Sequence, residues 1–427
     1  MILAVLMIVM GITMAIGIPI AWTLGISGVA AIIMMGIPLS TLPAKVFGGI
    51  NCFPLLCVPL FILAGEIMAY GGFTHRLLRF ATIIVGFIRG GLALANVIAS
   101  MLFGGITGAA VADASALGSV EIPMMKKSGY DPSFSAAITA ASACIGPIIP
   151  PSIPVVIYAM AVSGTSVGGL FAAGMIPGIL VGLALMLASY IISVKRKYPK
   201  REEKITLKDF FLATRDAFLA IMTPVIILGG IIGGVCTPTE AASIAVVYTF
   251  AISFFVFREL KLKDLPKMFL ASGVGSALVM IIIGTSTVFG MVVALEQAAM
   301  KLEVLLRPLG YFGFLLAINI IFLFVGTFMD NNPAILILAP VFAPIAAALG
   351  IEPIHFGIVV VMNLVIGLIT PPLGLVLFVV GPIAKVSFEQ VTKEVLPFLL
   401  VEIGVLLMVT YIPFISLWIP RLLGYVH

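Results

Sequence analysis

Apolar runs organise this chain, rather than the strict alternation of a half-buried strand or the narrow stripe of a surface helix. Runs approaching or exceeding the roughly 18 residues that cross a bilayer core recur from end to end. They fall at 2–35, 53–69, 90–108, 133–162, 170–194, 218–235, 241–257, 269–294, 314–329, 334–349, 357–383 and 395–419. The first is long enough for one crossing or two, and carries neither a basic leader nor a cleavage site that stands out. The pattern predicts an all-α polytopic membrane protein.

Composition agrees. Of 427 residues, 62% are hydrophobic and 10% charged, whereas soluble domains carry about 45–50% apolar and about 25% charged residues. The net charge of +5 does not indicate a nucleic-acid partner, because the basic residues sit in short loops where the positive-inside rule puts them. Cys52, Cys57, Cys144 and Cys236 form no CxxC pair and read as packing residues. His75, His355 and His427 are scattered, without metal-ligand spacing. Neither an ATP-binding Gly-x-x-x-x-Gly-Lys-Ser/Thr loop nor a His-Glu-x-x-His motif occurs, so an ATP-driven pump and a zinc enzyme are not expected.

Loop charge sets the expected topology. Lys195-Arg196-Lys197 and Arg258 with Lys261 and Lys263 open two basic loops, both cytoplasmic by this rule. His75, Arg76, Arg79 and Arg89 form a third basic loop, and Lys126-Lys127 lies on the same side. The segment 90–125 must then dip in and return, as a re-entrant hairpin opening to the cytoplasm. Its interior, with Gly104, Gly105, Gly108, Asp113, Ser115, Gly118 and Ser119, suits protein or water better than lipid.

The sequence repeats itself at one offset. Gly146-Pro147-Ile148-Ile149-Pro150-Pro151 matches Gly367-Leu368-Ile369-Thr370-Pro371-Pro372. The same register pairs Gly105 with Gly326, Pro123 with Pro344, Gly129 with Gly350, and Asp131-Pro132 with Glu352-Pro353. The second copy follows one crossing after a cytoplasmic loop, so its hairpin, at about 311–350, opens to the periplasm. Inverted repeats with discontinuous helices are the build of secondary transporters. The expected division is N-terminal scaffold helices at 1–52, a first repeat at 53–194, basic loops and scaffold helices at 195–268, and an inverted second repeat at 269–427.

Two consecutive prolines inside a span break the helix and free carbonyls, which are ligands for a hard monovalent cation. Candidates are Gly326, Gly367, Thr370 and Leu373 in the second copy, and Gly105, Gly146, Ile149 and Ser152 in the first, with Thr107 adding a hydroxyl. Asp113 and Ser115 in the first hairpin, and Asn331 and Asn332 at the tip of the second, are candidate substrate contacts; helix capping is the other reading of Asp113 and of the Asp330-Asn331-Asn332 tip. Ser142 and Asn363, equivalent in the repeat, precede the breaks and are further candidate substrate contacts. Glu66 and Glu402 lie within apolar spans, as ion ligands or as paired carboxylates. Glu240 reads as the last residue of a capping box begun by Thr237.

Pro59-Leu60-Phe61-Ile62-Leu63-Ala64-Gly65-Glu66-Ile67-Met68, Gly108-Ala109-Ala110-Val111-Ala112-Asp113, Pro150-Pro151-Ser152-Ile153-Pro154 and Thr237-Pro238-Thr239-Glu240-Ala241-Ala242 resemble the large membrane subunit of TRAP (tripartite ATP-independent periplasmic) transporters. So does Leu170-Phe171-Ala172-Ala173-Gly174 with Pro177-Gly178. The resemblance spans nearly the whole chain. It implies an ion-transporter-superfamily fold in which two re-entrant hairpins move as an elevator against a scaffold. It further implies coupling to Na+ at two or more sites, a bacterial inner-membrane location, a separate small four-helix membrane subunit, and a periplasmic binding protein delivering an organic acid. Sugar acids such as sialic acid and C4-dicarboxylates both stay open. A stand-alone sodium/carboxylate symporter of the same superfamily, needing no binding protein, is the alternative reading.

Overall fold

A computed structural model of the chain describes residues 1–200 and 207–426, the side chains of 105–107 and 207–208 excepted. Every regular element among the described residues is helical. The chain opens with α1 (Ile2–Ala15), α2 (Ile20–Met34), α3 (Thr41–Ile50), α4 (Cys57–Tyr70) and α5 (Phe73–Val85). A hairpin of α6 (Gly91–Thr107) and α7 (Ala110–Lys127) follows, then α8 (Pro132–Ala143), α9 (Ile153–Ala161) and α10 (Val167–Lys195). Next come α11 (Leu207–Ile232), α12 (Pro238–Ala251), α13 (Leu265–Leu295) and α14 (Ala298–Leu306). A second hairpin, α15 (Gly310–Phe328) and α16 (Asn331–Ala348), leads to α17 (Pro353–Gly367), α18 (Leu375–Ala384), α19 (Phe388–Tyr411) and α20 (Phe414–Leu422). Among the described residues, 8 helices are long and apolar enough to cross a membrane.

The apolar run 2–35, long enough for one crossing or two, is two short helices, parted at Gly17 and Pro19. One expectation needs correction. The basic segment with His75, Arg76 and Arg79 is not a loop but the amphipathic α5. Phe73, Leu77, Leu78 and Ala81 recur at helical spacing and are buried, which fixes the helix by its apolar face. Arg76 lies 3.7 Å above the Phe257 ring and pairs with Glu259 at 2.6 Å.

The 29-residue α10 acts as a ruler of about 43 Å. At its start, Gly169 lies against Tyr425 and against Ile354 at the head of α17. At its end, Ser193 lies against Gly90 at the foot of α6, and the Tyr198 ring stacks on Tyr130, just past α7, at 4.7 Å. The 24-residue α19, about 36 Å long, runs between the same two ends. Its Glu394 pairs with Arg196 at 2.9 Å, and its Tyr411 hydroxyl donates to the Phe312 carbonyl at 3.4 Å. The feet of the two hairpins therefore lie at opposite ends of the same rods.

The packing is reciprocal. The second hairpin helix of each copy lies on the post-break helix of the other: α7 on α18, and α16 on α9. Likewise α8 packs on α19, and α17 on α10. Lys126 ties the first of these contacts by donating to the Ala384 carbonyl at 2.7 Å. Within each copy, the first hairpin helix crosses the broken helix at glycines. A Cβ on Gly104 would overlap Gly146 Cα, and one on Gly326 would come 2.8 Å from the Leu364 carbonyl oxygen and 3.0 Å from Gly367 Cα.

This crossing sets an expected outcome. Gly367→Ala forces a methyl against Gly326 and costs about 1–3 kcal/mol by overpacking. Gly404→Ala, whose methyl meets nothing within 4 Å, leaves stability unchanged or slightly raised. Melting temperatures of the two variants in detergent check the contrast.

Candidate functional site

Both broken helices start from equivalent caps. Asp131 accepts from Ser133 N at 2.8 Å and Phe134 N at 3.1 Å to start α8, with Pro132 in the first turn. Glu352 accepts from His355 N at 2.9 Å to start α17, with Pro353 in the same place. Each helix then stops short at its Gly-x-x-x-Pro-Pro run. Pro150-Pro151 and Pro371-Pro372 are both cis.

The freed main-chain groups are met differently in the two copies. In the first, the Ser152 hydroxyl donates to the Pro147 carbonyl and accepts from Val155 N at 3.3 Å, closing the loop and capping α9. In the second, Gly374 N donates to the Thr327 carbonyl on the hairpin at 3.1 Å, and Val376 N to the Leu368 carbonyl at 3.1 Å. Thr370 donates its hydroxyl back to the Ile366 carbonyl at 2.9 Å, which leaves its oxygen lone pairs available as a ligand.

Several candidate cation ligands gather at these breaks. Gly146 meets α6 at Gly104, and Gly326 meets Gly367. Ile149 and Ser152 lie in the first break, Thr370 and Leu373 in the second. The Asp113 carboxylate, fully buried, lies against both Gly104 and Gly146. It thus belongs to the first break rather than to an open substrate surface. Gly105 and Thr107 fall within α6 but outside the described side chains.

Between the hairpins and the helices α4 and α13 lies a cavity of about 420 Å³. Ala109, Ala112, Ser115, Ala116 and Phe103 of the first hairpin line it, with Ile153 of α9 and Asn332 of α16; Ile62, Gly65, Glu66 and Ala69 of α4 and Ala271, Gly275 and Val279 of α13 complete it. The first turns of α7, α9 and α16 therefore converge on one space. Helix N-termini carry unpaired N–H groups and the positive end of the dipole, and among the described residues no Lys or Arg lines this cavity.

Of the expected substrate contacts, Ser115 and Asn332 reach the cavity, and Asn331 is buried beside it at the start of α16. Ser142 and Asn363 do not line it. Ser142 donates to Asn96 Oδ1 at 2.7 Å and accepts from Ser100 at 2.9 Å. Asn363 donates to Asn319 Oδ1 at 2.7 Å and to the Val359 carbonyl at 2.8 Å. Both are fully buried, where a polar group must find its partner within the protein. They clamp each broken helix to the first helix of its own hairpin. Glu66 lines the cavity, a place that its run of apolar neighbours did not reveal. Glu402 is buried on α19, away from that lining. Glu240 closes the expected capping box with Thr237.

The family described as "Tripartite ATP-independent periplasmic transporter, DctM component" matches residues 5–415. The chain is 42% identical to the C4-dicarboxylate TRAP transporter large permease protein DctM of Pseudomonas aeruginosa, covering 94% of each chain. It is also 42% identical to the sialic acid TRAP transporter large permease protein SiaM of Vibrio cholerae, over 89% of this chain and 90% of that one. The crystal structure of the YdaH transporter of Alcanivorax borkumensis shares the fold, with a TM-score of 0.62 at 15% identity over 88% of this chain and 87% of that one. With its eight membrane-length apolar helices among the described residues, the chain is a multi-pass inner-membrane protein and belongs to the TRAP transporter large-permease family.

Proposed function

We propose that this chain is the large transmembrane subunit of a sodium-coupled importer that receives a small organic acid from a periplasmic binding protein. The observation that carries this reading is the cavity on which the first turns of three helices, drawn from both copies, converge without a cationic side chain among the described residues. Main-chain N–H groups and helix dipoles there favour a carboxylate. The relatives' names include C4-dicarboxylate and sialic acid, and both are carboxylic acids.

Sodium is the coupling ion in this reading. The first site takes the carbonyls of Gly105, Gly146 and Ile149, with Thr107, Ser152 and the Asp113 carboxylate. The second takes Gly326, Gly367, Thr370 and Leu373. All are oxygen donors, as a hard cation requires. Asp113 supplies a negative charge that offsets the ion in surroundings of low polarity. Because each site joins a broken helix to its hairpin, a bound ion draws the hairpin onto the break and shapes the cavity for substrate.

The hairpins are re-entrant in this reading, opening to opposite sides, which the opposite placement of their feet along α10 supports. The helices α6–α10 and α15–α20 form the moving module, and α1–α4, α12 and α13 the scaffold on which it slides. Each charge that crosses 100 mV contributes about 2.3 kcal/mol to this movement. A separate four-helix small subunit braces the scaffold.

Two outcomes test this. In proteoliposomes holding both membrane subunits and supplied with loaded binding protein, Thr370→Ala raises the sodium concentration for half-maximal uptake by about threefold to tenfold, or about 0.6–1.4 kcal/mol. Asp113→Asn raises it by more than about tenfold. Unchanged sodium responses in both variants would remove these sites. In the same assay, omitting the small subunit abolishes uptake; full uptake by the large subunit alone would favour a stand-alone symporter.

A further inference from the structure

The cavity between the hairpins has two unlike walls. One is built from helix starts, with Ser115 and Asn332 beside them. The other, from α4 and α13, is apolar or bare at Ile62, Gly65, Ala69, Ala271, Gly275 and Val279. Glu66 breaks that second wall, and among the described residues it is the one charged side chain in the lining. Among the described residues no ion pair occupies its carboxylate. It is half-buried, with its exposed part turned to the cavity.

A molecule filling this space meets partial positive charge on one side and a carboxylate on the other. The complementary ligand carries an anionic group at one end and hydrogen-bond donors at the other. We propose, resting on the reading of this cavity as the substrate site, that Glu66 sets specificity by accepting hydrogen bonds from hydroxyl or ammonium groups on the part of the substrate remote from its carboxylate. The chain then takes hydroxylated or amine-bearing monocarboxylates and turns away dicarboxylates. A second carboxylate in a cavity of about 420 Å³ would face Glu66 directly, and like charges set against each other in a binding site weaken binding. Discrimination of this kind needs no extra contact with the preferred ligand, only a repulsive one with its competitor.

The placement also fixes the step at which Glu66 acts. The carboxylate-binding helix starts belong to the hairpins and α9, whereas Glu66 belongs to α4. If the hairpin module slides, substrate travels with the helix starts and leaves Glu66 behind. Glu66 therefore screens substrate at loading and takes no part once the module has moved.

Direct binding to the purified complex of both membrane subunits tests the proposal without the selectivity of a binding protein. The readout is sodium-dependent thermal stabilisation titrated with gluconate, as a hydroxylated monocarboxylate, and with succinate, as a C4-dicarboxylate. The wild type binds gluconate at least about tenfold more tightly than succinate. Glu66→Gln narrows that ratio by about tenfold, chiefly through tighter succinate binding, and Glu66→Asp keeps the wild-type order. A wild type that prefers succinate, or a ratio unchanged in Glu66→Gln, overturns the specificity role while leaving the substrate site standing. Binding of neither acid in sodium overturns the site reading itself, and this inference with it. If Glu66→Gln fails to fold, as its ligand-free melting temperature reports, the wild-type ratio and its retention in Glu66→Asp decide the matter.

Discussion

A carbonyl or N–H released in the middle of an apolar layer must be satisfied within the protein, and this requirement shapes the molecule around its two breaks. The chain leaves helical form after α8 and α17, at the runs that carry the paired prolines. The first copy answers with a side chain, Ser152, which bridges the loop to the start of α9. The second answers with its hairpin, whose Thr327 carbonyl receives Gly374 N. Glycines at 104, 146, 326 and 367 let hairpin and break approach main chain to main chain. The main-chain oxygens around each break are thereby brought close to the hairpin that packs on it.

Polar groups elsewhere in the interior serve a mechanical role. Asn96, Ser100, Thr139 and Ser142 form one closed cluster, and Asn319, Asn363 and Thr410 another. Each fastens a broken helix to the first helix of its hairpin. The backbone around a break is weak in helical hydrogen bonds, so these side-chain bonds hold the half-helix in register where the main chain cannot. His355, between the Ser416 hydroxyl at 2.7 Å and the Thr410 carbonyl at 3.2 Å, extends the second cluster toward α20.

The sequence made some of this visible and hid the rest for definite reasons. Glycine and proline have few alternative uses inside an apolar helix, so their recurrence at one offset marked the two places where α8 and α17 stop, while loop charge marked the turn between α6 and α7. Amphipathic helices were hidden by the very criterion that found the spans. The arginines of α5 resemble a loop when only apolar runs are counted, although Phe73, Leu77 and Leu78 mark its buried face. Ser142 and Asn363 looked free because their partners, Asn96 and Asn319, are two residues out of the register that pairs them. Asp113 was legible as a carboxylate inside an apolar region, but its place against Gly104 and Gly146 is seen only in the fold. Glu66 stood out as a carboxylate within an apolar span, but only the fold shows that it faces a void.

Reciprocal packing has a consequence for how such a chain is made. Because α7 rests on α18 and α16 on α9, neither half can be completed from its own residues. The first hairpin emerges from the ribosome long before α18 exists to cover it. Until then its polar and glycine-lined surface must be sheltered by the insertion machinery or by provisional contacts. The halves are thus entwined in time as well as in space, and release of the C-terminal helices is the event that lets the N-terminal ones settle.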